Sequence, residues 1–330
     1  MLKLPEYPIT FVVALMCGAA LAPLASLALA QTVSAQTYPA RTVRIISTEP
    51  GGSLDLAARI LAQGLGAAFG QSVIVENRPG AAGIIAVEAL KSAPADGYAV
   101  GFYSSAFWIT PLMQSVPYDP KDFAPVVMAV SSPNVVVVHP SLPVKSVKEL
   151  IALAKARPGE FSYGASSTGS GPHLAGELFK AMTGVNIVRI PYKGGAPTAN
   201  DLVAGRLQFA FTTPGVIAGF IKAGKLHAIA VTSLRPTALM PELPTVAETL
   251  PGFESATIQG MFASARVPRS IITRLNQESV RFLGRPDIRQ KFLDSGTEVA
   301  AGSPEDFEAT IKAEVVKLGP VIRAAGIRAE

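Results

Sequence analysis

Short apolar, β-rich runs alternate with helical patterns along most of this 330-residue chain, and that alternation restricts the fold more than any single motif. Runs at 43–47, 73–76, 99–103, 161–165, 186–191, 207–212 and 227–232 read as strands. Residues 54–69, 84–92, 147–156, 172–182, 197–204 and 215–223 read as helices. In the first helix, Leu54, Ala57, Ala58, Leu61, Leu65 and Phe69 fall near helical spacing. Residues 125–131 form another apolar run. Residues 134–139 carry four consecutive valines, which suits a strand buried on both faces of a parallel sheet. A strand at 255–263 and helices at 269–284, 286–295 and 304–325 close the chain. The pattern predicts an α/β fold of two lobes, each an open, mostly parallel sheet flanked by helices. Residues 140–233 are expected to form one lobe. Residues 36–139 and 234–330 would form the other, discontinuous lobe, with two crossovers and a hinge that lets the pair close on a ligand.

Residues 1–35 stand apart. Lys3 gives a weakly positive start, and no charge follows from Ile9 to Ala30. Ala28-Leu29-Ala30 and Val33-Ser34-Ala35 are small-x-small sites, so this stretch reads as a secretory signal peptide cleaved after Ala30 or Ala35. The stretch is also long enough to span a bilayer, but Pro23 and the Ala-x-Ala ending favour cleavage. Cys17 is the only cysteine and lies inside the segment, which excludes a disulfide framework and a multi-cysteine zinc site. The formal net charge is +5, yet no three basic residues are consecutive. That argues against nucleic acid as a partner and is compatible with mild attraction of small anions.

Four strand-to-helix junctions carry the chemistry. The first is Glu49-Pro50-Gly51-Gly52-Ser53-Leu54-Asp55, where the glycines permit close ligand approach and Ser53 can cap. The second runs Ser166-Ser167-Thr168-Gly169-Ser170-Gly171-Pro172-His173 and is dense in hydroxyls. The third is Tyr192-Lys193-Gly194-Gly195-Ala196-Pro197-Thr198, and the fourth is Thr212-Thr213-Pro214-Gly215. A helix start offers unpaired N–H groups and a partial positive charge, so it holds an anion without Arg or Lys. In open parallel sheets these junctions lie where ligands bind. Each junction alone has an ordinary structural explanation, because such turns need Gly, Ser and Pro. None matches a P-loop or a Gly-x-Gly-x-x-Gly dinucleotide pattern.

Catalytic patterns are thin. Ser170 lacks the Gly-x-Ser-x-Gly setting, and the histidines are only His139, His173 and His227. His173 and Glu177 are four apart on a predicted helix, but two ligands make a poor metal site, and a packing or capping role for His173 is preferred. No metal or cofactor is expected. Phe102, Tyr103, Phe107 and Trp108 cluster around a strand end with Ser104 and Ser105. Core packing is the default there, and an apolar wall against a ligand is the sharper alternative.

The chain resembles the Bug family of extracytoplasmic solute receptors, the binding components of tripartite tricarboxylate transporters. The resemblance rests on Pro50-Gly51-Gly52-Ser53-Leu54-Asp55 with Ala58-Arg59, Val75-Glu76-Asn77-Arg78-Pro79-Gly80-Ala81 and Asp96-Gly97-Tyr98. It continues through Pro117-Tyr118-Asp119-Pro120, His173-Leu174-Ala175-Gly176-Glu177, Pro191-Tyr192-Lys193-Gly194 and Pro244-Thr245-Val246-Ala247-Glu248. It implies a two-lobed periplasmic binding protein fold that closes on a small carboxylate: a di- or tricarboxylate, an amino acid or an aromatic acid. It also implies ligand contacts at residues 51–55 and 166–173, with help near Thr212. The chain departs from the family pattern at three places. Thr48-Glu49 stands where Phe-Pro is common, Thr212 stands where Asp is frequent, and Phe107-Trp108 replaces smaller polar residues. Together they lean towards a less polar or aromatic carboxylate, and away from a ligand amine.

The sequence is therefore read as a periplasmic, monomeric solute-binding receptor, not an enzyme, that delivers a small organic acid to a membrane permease. Its expected ligand contacts are Gly51, Gly52, Ser53, Asp55, Ser104, Ser166, Ser167, Thr168, Gly169, Ser170, His173, Lys193, Gly194 and Thr212. The alternatives are a secreted hydrolase using Ser170 or Lys193 with His173, and a ligand sensor coupled to a membrane kinase.

Overall fold

The chain crosses between two sheets twice, and those crossings set the direction of every strand. The structure is a computed structural model that describes residues 38–48, 50–165, 168–192 and 194–328. The expected signal segment and Cys17 lie outside the described residues. The fold lies within the unit Arg41–Glu330. In chain order it runs β1 (Val43–Ser47), α1 (Ser53–Phe69), β2 (Val73–Asn77), α2 (Ile84–Lys91), β3 (Ala99–Ser104), the short α3 (Ala106–Ile109), β4 (Phe123–Pro133) and β5 (Val135–Val138). It continues with α4 (Val147–Ala156), β6 (Ser162–Ala165), α5 (Gly171–Thr183), β7 (Val188–Pro191), α6 (Gly195–Val203), β8 (Phe209–Thr212), α7 (Pro214–Lys222) and β9 (His227–Val231). It ends with β10 (Ala256–Ser264), α8 (Arg269–Leu283), α9 (Pro286–Asp294), β11 (Glu298–Val299) and α10 (Pro304–Ala324).

The first sheet has the order β11-β4-β10-β3-β1-β2, and the second β7-β6-β8-β5-β9. β1 is parallel to β2 and β3, and β6 is parallel to β7 and β8. β10 is antiparallel to β3 and β4, β11 to β4, and β5 to β8 and β9. Both sheets are thus mixed. The strands that end at the crossings are parallel to one another, whereas β5 and β10 start there and must run the other way. The four valines of β5 are fully buried, as their run suggests, but the strand is antiparallel to both neighbours. β5 also belongs to the second sheet, so the change of sheet falls at Asn134 and not at the expected boundary of 139/140.

Each sheet carries its own aromatic core. Phe107, Trp108, Phe262 and Phe307 pack beside the first sheet, with Trp108 edge-on to Phe307 at 5.8 Å. Tyr163, Phe179, Phe209, Phe211 and Phe253 fill the second. α10 packs on β4 and also on α5; Leu318 and Ile322 enter the first core, while Val321 touches the second. Local signals fix the helix ends. Gly70 ends α1 with φ 63°, Ser146 Oγ accepts from the Glu149 N–H at α4, and Ser303 with Asp306 forms a capping box at α10.

The two crossover segments are tied to each other by hydrogen bonds. The Asn134 N–H donates to Thr232 Oγ1 at 2.7 Å, and the Thr232 N–H donates back to the Asn134 carbonyl at 2.9 Å. The Ser255 N–H donates to the Thr232 carbonyl at 2.9 Å, and the Thr232 hydroxyl donates to the Ser255 carbonyl. Asn134 and Thr232 are fully buried, so water cannot replace these bonds without opening the crossover. Thr232→Val keeps the shape but strands the Asn134 N–H, and is expected to cost about 1–3 kcal/mol in reversible unfolding. Wild-type stability in that variant would contradict this account.

Candidate functional site

Because β5 and β10 start at the crossings, the other long strands of both sheets end facing them, and the junctions follow those ends. At the first junction Gly51 has φ 83°, and no atom within 4 Å would obstruct a Cβ at Gly51 or Gly52. The loop is therefore open to close approach, and its left-handed residue favours glycine. Gly52 takes the N-cap position without a side-chain cap, so Ser53 is the first helical residue and not the cap. Its Oγ accepts from Gln259 Nε2 at 3.2 Å. Gln259 is paired with Ser104 across β10 and β3, so one side chain brings the first junction to the end of β3. Gln259 Oε1 is buried with no hydrogen-bond partner among the described residues, which leaves an acceptor for a donor.

The Asp55 carboxylate is tied in place on both oxygens. Its Oδ2 accepts from the Gly51 N–H at 3.0 Å and Arg59 Nε at 2.9 Å, and its Oδ1 accepts from Asn77 Nδ2 at 2.9 Å. Burial would raise its pKa, but Arg59, the Gly51 N–H and Asn77 together hold it below the ordinary aspartate value. Asp55 therefore shapes the loop from behind. Both of its oxygens are engaged, which gives the side chain a positioning role there.

At the second junction, Ser166 and Ser167 lie outside the described residues. Gly169 has φ 77° and packs against Met113, whose Cε is 2.6 Å from where a Cβ would stand. Ser170 caps α5 by accepting from the His173 N–H at 3.4 Å. His173 Nδ1 accepts from the Gly169 N–H at 2.9 Å, so the ring braces the turn it follows. Burial lowers the His173 pKa to about 4, and the positive charge of Arg189 acts in the same direction. The imidazole is thus neutral, its acceptor nitrogen is occupied, and the other nitrogen carries the proton. The ring therefore has no lone pair left to deprotonate Ser170. Glu177 accepts from Tyr163 Oη at 2.8 Å and Lys180 Nζ at 3.0 Å, so the His173–Glu177 pair is committed to the fold. Arg189 on β7 donates to Thr168 Oγ1 at 3.2 Å, a cationic contact to this loop that the sequence reading missed.

Of the third junction, Lys193 lies outside the described residues. Gly194 N-caps α6, and its carbonyl accepts from Thr198 Oγ1 at 2.9 Å. At the fourth, Thr212 is buried at the end of β8 and pairs with Val135.

A cavity of about 250 Å³ lies between the end of β3, the start of α5, the start of β10 and α10. Its polar lining includes Ser104, Ser105, Ser170, Ser255, Thr257 and Glu314. It brings Ser104 of the first sheet together with Gly169 and Ser170 of the second; residues 51–55, Gly194 and Thr212 do not line it. Glu314 is half-buried, and its Oε2 accepts from Trp108 Nε1 at 2.8 Å. Burial pushes its pKa up to about 7, against the opposing pull of the Trp108 N–H and of Lys317. A sequence signal for Glu314 existed. It falls on the helical stripe of Phe307, Ile311, Leu318 and Ile322, where a carboxylate is out of place. Phe107 and Trp108 are themselves buried at 5% and 2% exposure within the first core. They pack against Phe262 and Phe307 and do not wall the cleft, so the default of core packing describes them.

A profile described as "Tripartite tricarboxylate transporter family receptor" matches residues 57–327. The chain belongs to this family. It is 35% identical over 311 residues to the protein BugT of Bordetella pertussis, covering 92% of this chain and 95% of BugT. Among solved structures it is similar to an R. palustris protein determined with adipate, at 36% identity and a TM-score of 0.72, covering 89% of this chain and all of that one. It is also similar to a TctC solute-binding protein from Polaromonas determined with no ligand, at 26% identity and a TM-score of 0.81, covering 87% of this chain and all of that one. The family is one of periplasmic solute-binding receptors, and the two-sheet α/β architecture here is the fold of those structures.

Two outcomes follow from the titrating groups. His173 has a folded pKa of about 4 against an ordinary value of 6.5, so its contribution is present above pH 6.5 and lost as pH falls towards 4. Unfolding measurements should show stability declining across that window, and His173→Gln should flatten the decline; an identical slope in the variant would contradict the buried neutral ring. Trp108 is the only tryptophan, so its emission is expected to titrate with a midpoint of about 7 as Glu314 ionises. Glu314→Gln should abolish that transition.

Proposed function

We propose that this receptor binds a small organic carboxylate between its two sheets, in the periplasm, and passes it to the membrane subunits of a tripartite transporter. The observation that carries the reading is the set of junctions after strands of both sheets, which ends in glycine, hydroxyl and helix-start N–H groups. Such groups hold a carboxylate without a dedicated cation, and Arg189 behind Thr168 adds positive charge on one side. Family membership supports delivery to a transporter, and the adipate complex of a relative at 36% identity supports a carboxylate. Residues 1–35 would direct export and be removed; among the described residues no helix is long and apolar enough to cross a membrane.

Residues 134 and 232–255 form the hinge in this reading. A ligand that touches both lobes favours the closed arrangement, since only differential contact shifts such an equilibrium. Gly51, Gly52, Ser53, Ser104, Thr168, Gly169, Ser170, Gly194 and Thr212 are the proposed contacts, with Ser166, Ser167 and Lys193 completing the set. Asp55 and His173 hold those loops in shape. The hydrolase alternative loses its base, because the acceptor nitrogen of His173 is engaged by the Gly169 N–H. The test is calorimetric titration of the purified mature protein with a panel of aliphatic and aromatic carboxylates. At least one acid is expected to give saturable heat and a raised melting temperature. No heat and no thermal shift across the panel would overturn the proposal.

A further inference from the structure

Glu314 is the one ionisable side chain among the residues that line the cavity between the sheets. Trp108 Nε1 holds its Oε2 at 2.8 Å, so turning the carboxyl away would leave a buried indole N–H without its acceptor. No Lys or Arg lines the cavity, and the nearby Lys317 is engaged with Glu254 at 2.9 Å. A second buried acceptor lies behind the lining residue Gly171 and does not itself line the cavity. Asn134 Oδ1 is fully buried, has no hydrogen-bond partner among the described residues, and lies 3.9 Å from where a Cβ on the lining residue Gly171 would stand. The remaining polar lining is hydroxyls, which adapt as donor or acceptor. A carboxylate fixed in place by Trp108, with no cation in the lining, suits a donor group and opposes an anion.

We propose that Glu314 is a specificity-determining residue that makes this cavity a subsite for a hydroxyl-bearing end of the ligand and rejects a second ionised carboxylate. The inference rests on the carboxylate-receptor reading, in which the junction loops hold the other end. Gly169 and Ser170 belong to both the second junction and the cavity, so a single extended molecule can reach from one to the other. A second carboxylate would meet Glu314 as a like charge in a confined space, whereas a hydroxyl would donate to it.

Protonation of Glu314 would relax the rejection, because a neutral carboxyl can donate to an anion. Few other charges face it. Lys317 and Glu254 pair with each other, and the charged residues of α5, Glu177 and Lys180, do the same. His173 is buried and neutral, while β4, α3 and residues 110–112, which pack against α10, carry no titratable side chain. Burial holds Glu314 at a pKa of about 7, so the change falls in an accessible range.

The test compares adipate with ω-hydroxyhexanoate, which has the same length and one terminal hydroxyl in place of a carboxylate. Affinities are measured for wild type and Glu314→Gln at about pH 6 and about pH 8.5, either side of the Glu314 midpoint. At the higher pH, wild type is expected to favour the hydroxy acid by about tenfold or more, and Glu314→Gln to lose most of that preference. Wild type at the lower pH should move towards the variant, and the variant itself should show little pH dependence. The wild-type pH comparison needs no substitution, so a poorly folded variant does not rescue the idea. A wild-type preference for adipate at the higher pH, or a preference unmoved by both substitution and pH, overturns the subsite. Binding of other carboxylates but neither of this pair overturns the subsite alone. Binding of no carboxylate at all overturns the receptor reading and the subsite with it.

Discussion

The hydrogen-bonded meeting of Asn134, Thr232 and Ser255 is the point on which the architecture depends. Here the chain leaves the first sheet and here it returns. A strand entering a sheet from the crossing edge runs against strands that end at that edge, so β5 and β10 are antiparallel inserts. Every other long strand then finishes towards the crossing, and the strand-to-helix turns of both sheets follow those ends. Two backbone segments joined by a few buried bonds can also bend together, which suits lobes that open and close.

The site proposed on this frame would hold its ligand mainly through backbone and hydroxyl groups. Buried polar side chains shape its loops. Asp55 pins Gly51 through its own carboxylate and leans on Arg59 and Asn77. His173, kept neutral by burial, pins Gly169. Gln259 ties Ser53 to the end of β3. Rigid supports of this kind hold N–H groups in place before a ligand arrives, which lowers the ordering cost of binding. The net charge of +5 is spread without a patch, so local dipoles and Arg189 outweigh it at the junctions.

Much of this was legible in the sequence. Periodicity located nearly all the long elements, because burial on one face or both leaves a direct trace in residue order. Strand direction left no such trace: the valines of β5 report burial on both faces and nothing about which way the strand runs. The same run drew the lobe boundary one strand late. At the junctions, Gly, Ser and Pro marked the strand-to-helix turns, but the bonds of Asp55 and His173 to the N–H groups of Gly51 and Gly169 were not legible, because backbone partners leave no trace in side-chain identity. Phe107 and Trp108 could not be sorted between core and cleft until Phe262 and Phe307 were placed beside them, far away in sequence. Glu314 was readable as a carboxylate on an apolar helical stripe; what it faces depends on α10 packing across to α5.

The central claim is that the loops following strands of both sheets hold a carboxylate through backbone N–H and hydroxyl groups. A crystal structure of the protein with a bound carboxylate tests it most directly. The account predicts carboxylate oxygens within hydrogen-bond distance, directly or through one water, of N–H or hydroxyl groups in residues 51–55 and 168–171 together. A carboxylate held on only one sheet, or by lysine and arginine side chains on the outer surface, would contradict it.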